Sequence, residues 1–190
     1  NYNLVDGRID CSRISYTDEE CYKDRIKRAT PEFGDIILSR EAPMGRVGII
    51  SNDFKCCLGQ RLVLLKVKRE ICIPEWLSYC LQSPDVQNQI NCFDNVGTTV
   101  SNLSISSIKQ LKIYLPNYET QKSIVSMLKP IDAYIDSNVR INDYLFEVCK
   151  TLFNKAREKS REFSALSTFA EVCYGKDHKD LSEGTIPVFG

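Results

Sequence analysis

Residues 117–162 constrain this chain more than any other stretch. Read at alternating steps of four and three, they give Ile124, Leu128, Ile131, Ile135, Asn138, Asn142, Leu145, Cys149, Leu152 and Ala156. Eight of those ten positions are apolar and both exceptions are Asn. This is a seam of period 3.5, the signature of a helix that lies along another helix. A helix that only covers a small core needs far fewer apolar positions, so the rest of the chain must leave room for a long partner.

The segment is entered through Leu115-Pro116-Asn117, with Asn117 placed to cap the first turn. Pro130 interrupts it. Proline in a helix interior costs about 3 kcal/mol, so the sequence predicts a short helix to about Lys129 and a long one from Ile131. Asn138 and Asn142 read as register-setting residues, because an amide in an apolar seam must find a partner. The expected pairing surface is Ile131, Ile135, Asn138, Asn142, Leu145, Cys149 and Leu152.

The residues before the seam read as a mixed domain with a small twisted sheet. Thr17-Asp18-Glu19-Glu20 looks like a helix start with Thr17 as cap. Ile36–Leu38, Val47–Ile50 and Leu62–Val67 read as strands, and Gly45 and Gly48 as places where backbone turns or approaches closely. Pro74 opens a helix whose apolar face is Trp76, Leu77, Tyr79, Cys80 and Leu81; Ser83-Pro84 ends it and starts another. Residues 97–103 read as a polar loop, Ser104 or Ser106 as the cap of a short turn, and Lys112–Leu115 as a last strand. Leu166 onward reads as loop and short strand, with residues 184–187 extended. The expected class is α+β: a recognition-type globular domain over 1–116, a helical spacer over 117–163, and over 164–190 the start of a further domain or the completion of the first. The chain begins at Asn1 rather than Met, which suggests a fragment or processed product.

Chemistry-bearing motifs are few. The single histidine, His178, sits in a Lys-Asp-His-Lys surface setting, and no nucleophile elbow, phosphate loop, dinucleotide fingerprint or Asp/Asn-Pro-Pro-aromatic methyltransferase motif is present. The nine cysteines show no CxxC and no Cys/His pairing, so they read as reduced, small hydrophobic residues rather than a zinc site. No apolar run approaches a membrane span and no signal peptide opens the chain. The formal net charge is zero, yet residues 23–69 hold eleven Lys/Arg against five Asp/Glu, between acidic ends. A basic centre on a neutral chain suits a polyanion such as duplex DNA. The candidate contacts are Arg40, Arg46 and Lys55, Thr98 and Thr99 in the polar loop, and Lys23, Lys27 and Arg28 toward phosphate.

Four stretches in fixed order resemble the specificity subunit of type I restriction–modification systems. They are Gly34-Asp35-Ile36-Ile37-Leu38-Ser39-Arg40 with Gly45 and Val47; Leu58-Gly59-Gln60-Arg61-Leu62; Gly97-Thr98-Thr99-Val100-Ser101-Asn102-Leu103-Ser104; and Leu115-Pro116 leading through Glu119-Thr120-Gln121 to Ile124-Val125, Leu128, Ile131-Asp132 and Ile135. The usual acidic residue before Gln121 is Thr120 here, and Pro130 is a second departure. The resemblance implies a target recognition domain and a spacer helix that pairs antiparallel with an equivalent helix, in a second half of one subunit or in a second copy. Each recognition domain would read one half of a split DNA sequence. The subunit would have no catalysis and no cofactor of its own. S-adenosylmethionine, ATP and Mg would belong to the adenine-N6 methyltransferase (modification) and restriction subunits it binds in the cytoplasm. Gln60, Arg61, Gly97 and Asn102 would brace the framework rather than choose the sequence. Two other readings stay open: the recognition end of a single-chain restriction–methyltransferase enzyme, and a coiled-coil adaptor without DNA contact.

Overall fold

The chain opens with a short antiparallel hairpin, β1 (Leu4–Val5) and β2 (Arg8–Ile9), laid against a three-stranded sheet. A computed structural model describes residues 3–5, 7–11, 14–41, 43–51, 55–94, 102–160 and 163–173. The sheet is β3 (Ile36–Ser39), β4 (Val47–Ile49) and β5 (Leu62–Leu65), antiparallel in the order β4-β3-β5. Ile37 stands opposite Gly48 on one side and Leu64 on the other, which fixes the register.

All four residues of β3 are buried. A strand covered on both faces reads as a continuous apolar run, as this one does. Its side chains alternate between two cores. Ile36 and Leu38 pack with Val47, Leu81, Val86, Ile90 and Leu103, whereas Ile37 joins Leu4 and Ile50 beneath the hairpin. The first core is closed by α2 (Pro74–Gln82) and α3 (Pro84–Asp94), separated at Ser83-Pro84 as the sequence predicts. Gly45 has φ of +80°, a turn conformation that L residues avoid. Gly48 is needed for space: a Cβ there would lie 2.6 Å from Leu4 Cδ2.

Three expectations are corrected. The cap of α1 (Glu19–Arg25) is Asp18, not Thr17: the Asp18 carboxylate accepts from the Cys21 N–H at 2.7 Å. Residues 112–115 form no strand, because side chains take their backbone groups. Gln89 both accepts from the Lys112 N–H (2.8 Å) and donates to its carbonyl (3.0 Å), and the Trp76 indole donates to the Tyr114 carbonyl at 3.2 Å. The predicted break at Pro130 is absent: α5 runs unbroken from Tyr118 to Ser160 with Pro130 inside. Proline removes one intrahelical hydrogen bond, and the turns on both sides of it are held by side-chain contacts to α2. The other capping expectations hold. Ser104 caps α4 (Ile105–Gln110) through the Ser107 N–H, and Asn117 accepts from the Thr120 N–H at 2.9 Å.

The chain divides into two units, Asn1–Ile135 and Asp136–Gly190, and the division falls within α5. In the first unit α5 begins on a third core, where Val125 packs with Cys72 and Trp76. Gln121, fully buried, is its anchor. Its Nε2 donates to the carbonyls of Ile71 (3.0 Å) and Pro116 (2.9 Å), and its Oε1 accepts from the Ile73 N–H (2.9 Å). Among the described residues the second unit holds the remainder of α5 and one 3-10 turn at Leu166–Thr168; the expected extended segment 184–187 lies outside the described residues.

Candidate nucleic-acid interface

The C-terminal end of β3 gathers the polar side chains that could meet DNA. Ser39 shapes it. Its buried hydroxyl donates to the Pro43 carbonyl (2.7 Å) and accepts from the Arg46 N–H (2.8 Å), which holds residues 43–46 back over the strand end. Arg40 is paired by backbone with its neighbours: its N–H donates to the Arg61 carbonyl and its carbonyl accepts from the Leu103 N–H. Glu41 and Asn102 form an isolated antiparallel bridge beside it. Three chain segments remote in sequence thus meet at one end of the sheet.

The side chains there are pre-positioned. Arg40 Nη2 donates to Asn102 Oδ1 at 3.0 Å, with Nε at 3.4 Å, so the guanidinium keeps its Nη1 edge for another acceptor. Arg61 Nε lies 3.3 Å from Glu41 Oε2. Arg46 is placed differently. Its Nη1 donates to the Leu4 carbonyl at 3.2 Å, which joins β4 to the hairpin and occupies part of its hydrogen-bonding capacity.

Helix α1 carries the second group of cations and is tied to the segment before β5. Lys55 pairs with Glu19 and lies 4.4 Å over the Tyr22 ring, and Arg25 Nη1 donates to the Leu58 carbonyl at 3.4 Å. Lys27 bonds Asp24 at 2.5 Å, and the ammonium holds that carboxyl below its ordinary range. Lys23 and Arg28 are exposed, and neither has an ion-pair partner among the described residues. Thr98 and Thr99 lie outside the described residues. Of the predicted contacts, Arg40 sits on the sheet end, Arg46 supports the hairpin beside it, and Lys23, Lys27, Lys55 and Arg28 lie on or beside α1. Arg25, not among the predicted contacts, joins them here, and its only mark in the sequence is its place in the basic run.

The opposite end of the sheet is structural. Asp35 is buried, accepts from the Glu32 N–H at 2.8 Å and meets Lys66 at 2.9 Å, while Lys66 also bonds Glu32 at 2.8 Å. Lys66 loses some basicity to burial, but its two carboxylate partners outweigh that and raise its pKa. The chain continues from this end through Ile71–Ile73, the segment that Gln121 grips.

Along α5 the seam changes character. Ile124 and Leu128 are half-buried against the first unit, whereas Ile131, Ile135, Asn138, Asn142, Leu145, Cys149 and Leu152 are all exposed in the single chain. Among the described residues no three His, Cys, Asp or Glu side chains come together as a metal-binding group, and no helix is long and apolar enough to cross a membrane.

Residues 5–146 match the family model for the type I restriction modification DNA specificity domain. The type I restriction enzyme EcoBI specificity subunit of Escherichia coli is 24% identical over 147 residues, 77% of this chain and 31% of that one. The HindI specificity subunit of Haemophilus influenzae is 26% identical over 123 residues, 63% of this chain and 27% of that one. The match therefore spans 27–31% of the length of these relatives. A crystal structure of the HsdS subunit from Thermoanaerobacter tengcongensis aligns with a TM-score of 0.48 at 18% identity, over 72% of this chain and 36% of that one. The present chain has a mixed domain, a cation-bearing sheet end and a long helix, and with three quarters of its residues matched it belongs to the type I restriction–modification DNA specificity family.

Proposed function

We propose that this chain reads one half of a bipartite DNA sequence and measures the distance to the other half with α5. The observation that carries the reading is the Arg40–Asn102 pair at the end of β3, with Arg61 beside it and the cations of α1 tied to the segment before β5. Arginine suits guanine edges and phosphates, and a guanidinium already held on one edge loses little freedom on binding. The exposed seam supports an equivalent helix as partner, from a second copy or a second half of a longer subunit, with Asn138 and Asn142 near the crossing.

The same helix supports a scaffolding role. Within residues 136–160 the apolar surface is wider than a two-helix seam. Ile141, Tyr144 and Val148 flank it on one side and Val139, Phe146 and Phe153 on the other, all exposed. At about 100° per residue these span about 220° of the helix. A single antiparallel partner covers a narrow stripe, so the flanks suit further protein, and methyltransferase and restriction subunits are the occupants we assign. Catalysis, with its S-adenosylmethionine, ATP and Mg, would then reside on those subunits and none on this chain.

Methylome mapping of cells with and without the gene tests the reading. Loss of one split adenine-methylation motif on deletion is the expected result. An unchanged methylome, with the methyltransferase subunits present, would overturn it.

A further inference from the structure

Pro130 is the weakest point of α5, and it lies between two contacts that tie the helix to α2. Lys129 Nζ meets Glu75 Oε1 at 2.7 Å just before it. The Tyr79 hydroxyl donates to Asp132 Oδ2 at 2.5 Å just after it. Arg8, from β2, adds a hydrogen bond from Nη2 to the Asp132 carbonyl at 3.4 Å. Proline lacks the N–H that would donate to the Ser126 carbonyl and crowds that carbonyl with its ring, so bending is easiest there. Pro130 is itself exposed.

Docking of the helix begins ahead of these contacts. Gln121 and Val125, both buried, already fix its first turns. The contacts at Lys129 and Asp132 come later, involve partly exposed side chains, and bracket the one residue where the hydrogen-bond ladder is broken. Both α2 residues are on one face, Glu75 and Tyr79 being one turn apart. Burial, and then the neighbouring Asp132 carboxylate, raise the Tyr79 pKa, so its hydroxyl stays protonated as donor.

We propose that Glu75, Tyr79 and Arg8 are positioning residues that hold the direction of α5 across Pro130 and thereby restrict the gap between the two DNA half-sites. The inference rests on the recognition reading above. The lever is long. From Pro130 to Asn142 is about 18 Å at 1.5 Å per residue. A change of about 20° at the proline moves that point by about 6 Å, close to two base-pair rises of about 3.4 Å. A clamp that suppresses such a change converts a soft helix into a ruler.

The test is methylome mapping of cells carrying the complex with the wild-type, Y79F, D132A, D132N and P130A/D132A chains. Methyladenine is read at every genomic pair of half-sites, sorted by gap length. Y79F and D132A are expected to raise methylation at gaps one base pair longer or shorter by about tenfold, the effect of losing a hydrogen bond to a charged group. D132N keeps an acceptor for Tyr79 and should stay at the wild-type gap. P130A/D132A restores the helix hydrogen bond and should narrow the gap again. Reduced methylation at the correct gap in Y79F and D132A, with no gain at neighbouring gaps, would mean that the contacts serve folding alone and would overturn the proposal. Unchanged gaps in both variants would do the same. A wild-type chain with no split motif would remove the recognition reading and the clamp with it; a wild-type motif with unaltered gaps removes the clamp only.

Discussion

Replacing Gln121 with Ala should unfold the first unit more readily than any change on its surface. The amide makes three hydrogen bonds to backbone groups of Ile71, Ile73 and Pro116 and is fully buried. At about 1 kcal/mol net for each bond the truncation loses about 3 kcal/mol, and the one missing methylene adds about 0.8 kcal/mol. A loss of about 4 kcal/mol is a large share of the roughly 5–15 kcal/mol that holds a domain together. It corresponds to about 15 °C in Tm for a unit of this size. Trp76 is the only tryptophan and shares a core with Val125, one turn from Gln121, so its fluorescence reports this unit directly during thermal unfolding. Q121M separates the terms: it keeps the volume and should lose about 10 °C through the hydrogen bonds alone. Q121E turns a donor into a carboxylate oxygen facing two carbonyls. It should be destabilised at neutral pH and recover as pH falls, because burial raises its folded-state pKa. A Q121A loss under about 1 kcal/mol, or a Q121M chain as stable as wild type, would refute the anchor argument.

Other expectations concern the hairpin, the interface, the clamp and the seam. G48V should lower Tm by displacing the hairpin from β4, at a cost of about 1–3 kcal/mol, since even a Cβ meets Leu4, Ile9 and the Arg8 carbonyl; an unchanged Tm would show that the hairpin is loosely held. In the reconstituted complex, R40A should weaken DNA binding and, if Arg40 meets phosphate, reduce the salt slope of log K by about 1; equal affinity across salt concentrations removes Arg40 from the interface. Burial raises the Glu75 pKa but Lys129 more than offsets this, leaving it below the ordinary 4.5. The pair therefore contributes stability above the unfolded carboxyl pKa and loses it as pH falls through the lower folded value. E75Q should flatten the stability curve in that acidic window, and an unaltered slope would count against the pair. Asn138→Leu with Asn142→Leu should change the mass on gel filtration or the preferred half-site gap, and neither change would argue against a register role.

Local signals in the sequence determined much of this protein. The apolar run of β3, the Pro74 and Ser83-Pro84 boundaries and the Ser104 and Asn117 caps are decided by neighbours in the chain, and each is where the sequence predicts it. The family is legible because its motifs mark framework positions: Gln121, Asn102 and Arg61 hold backbone or side chains in place. Only the tertiary structure decided that residues 112–115 are not a strand, since Gln89 and Trp76 take their hydrogen bonds from another helix. It also decided that α5 passes through Pro130, where contacts from α2 on both sides oppose the break that propensity favours. The candidate interface has the same origin. Arg40, Arg61 and Asn102 are remote in sequence, and what brings them to one end of the sheet is strand register and a buried serine, neither of which local pattern records.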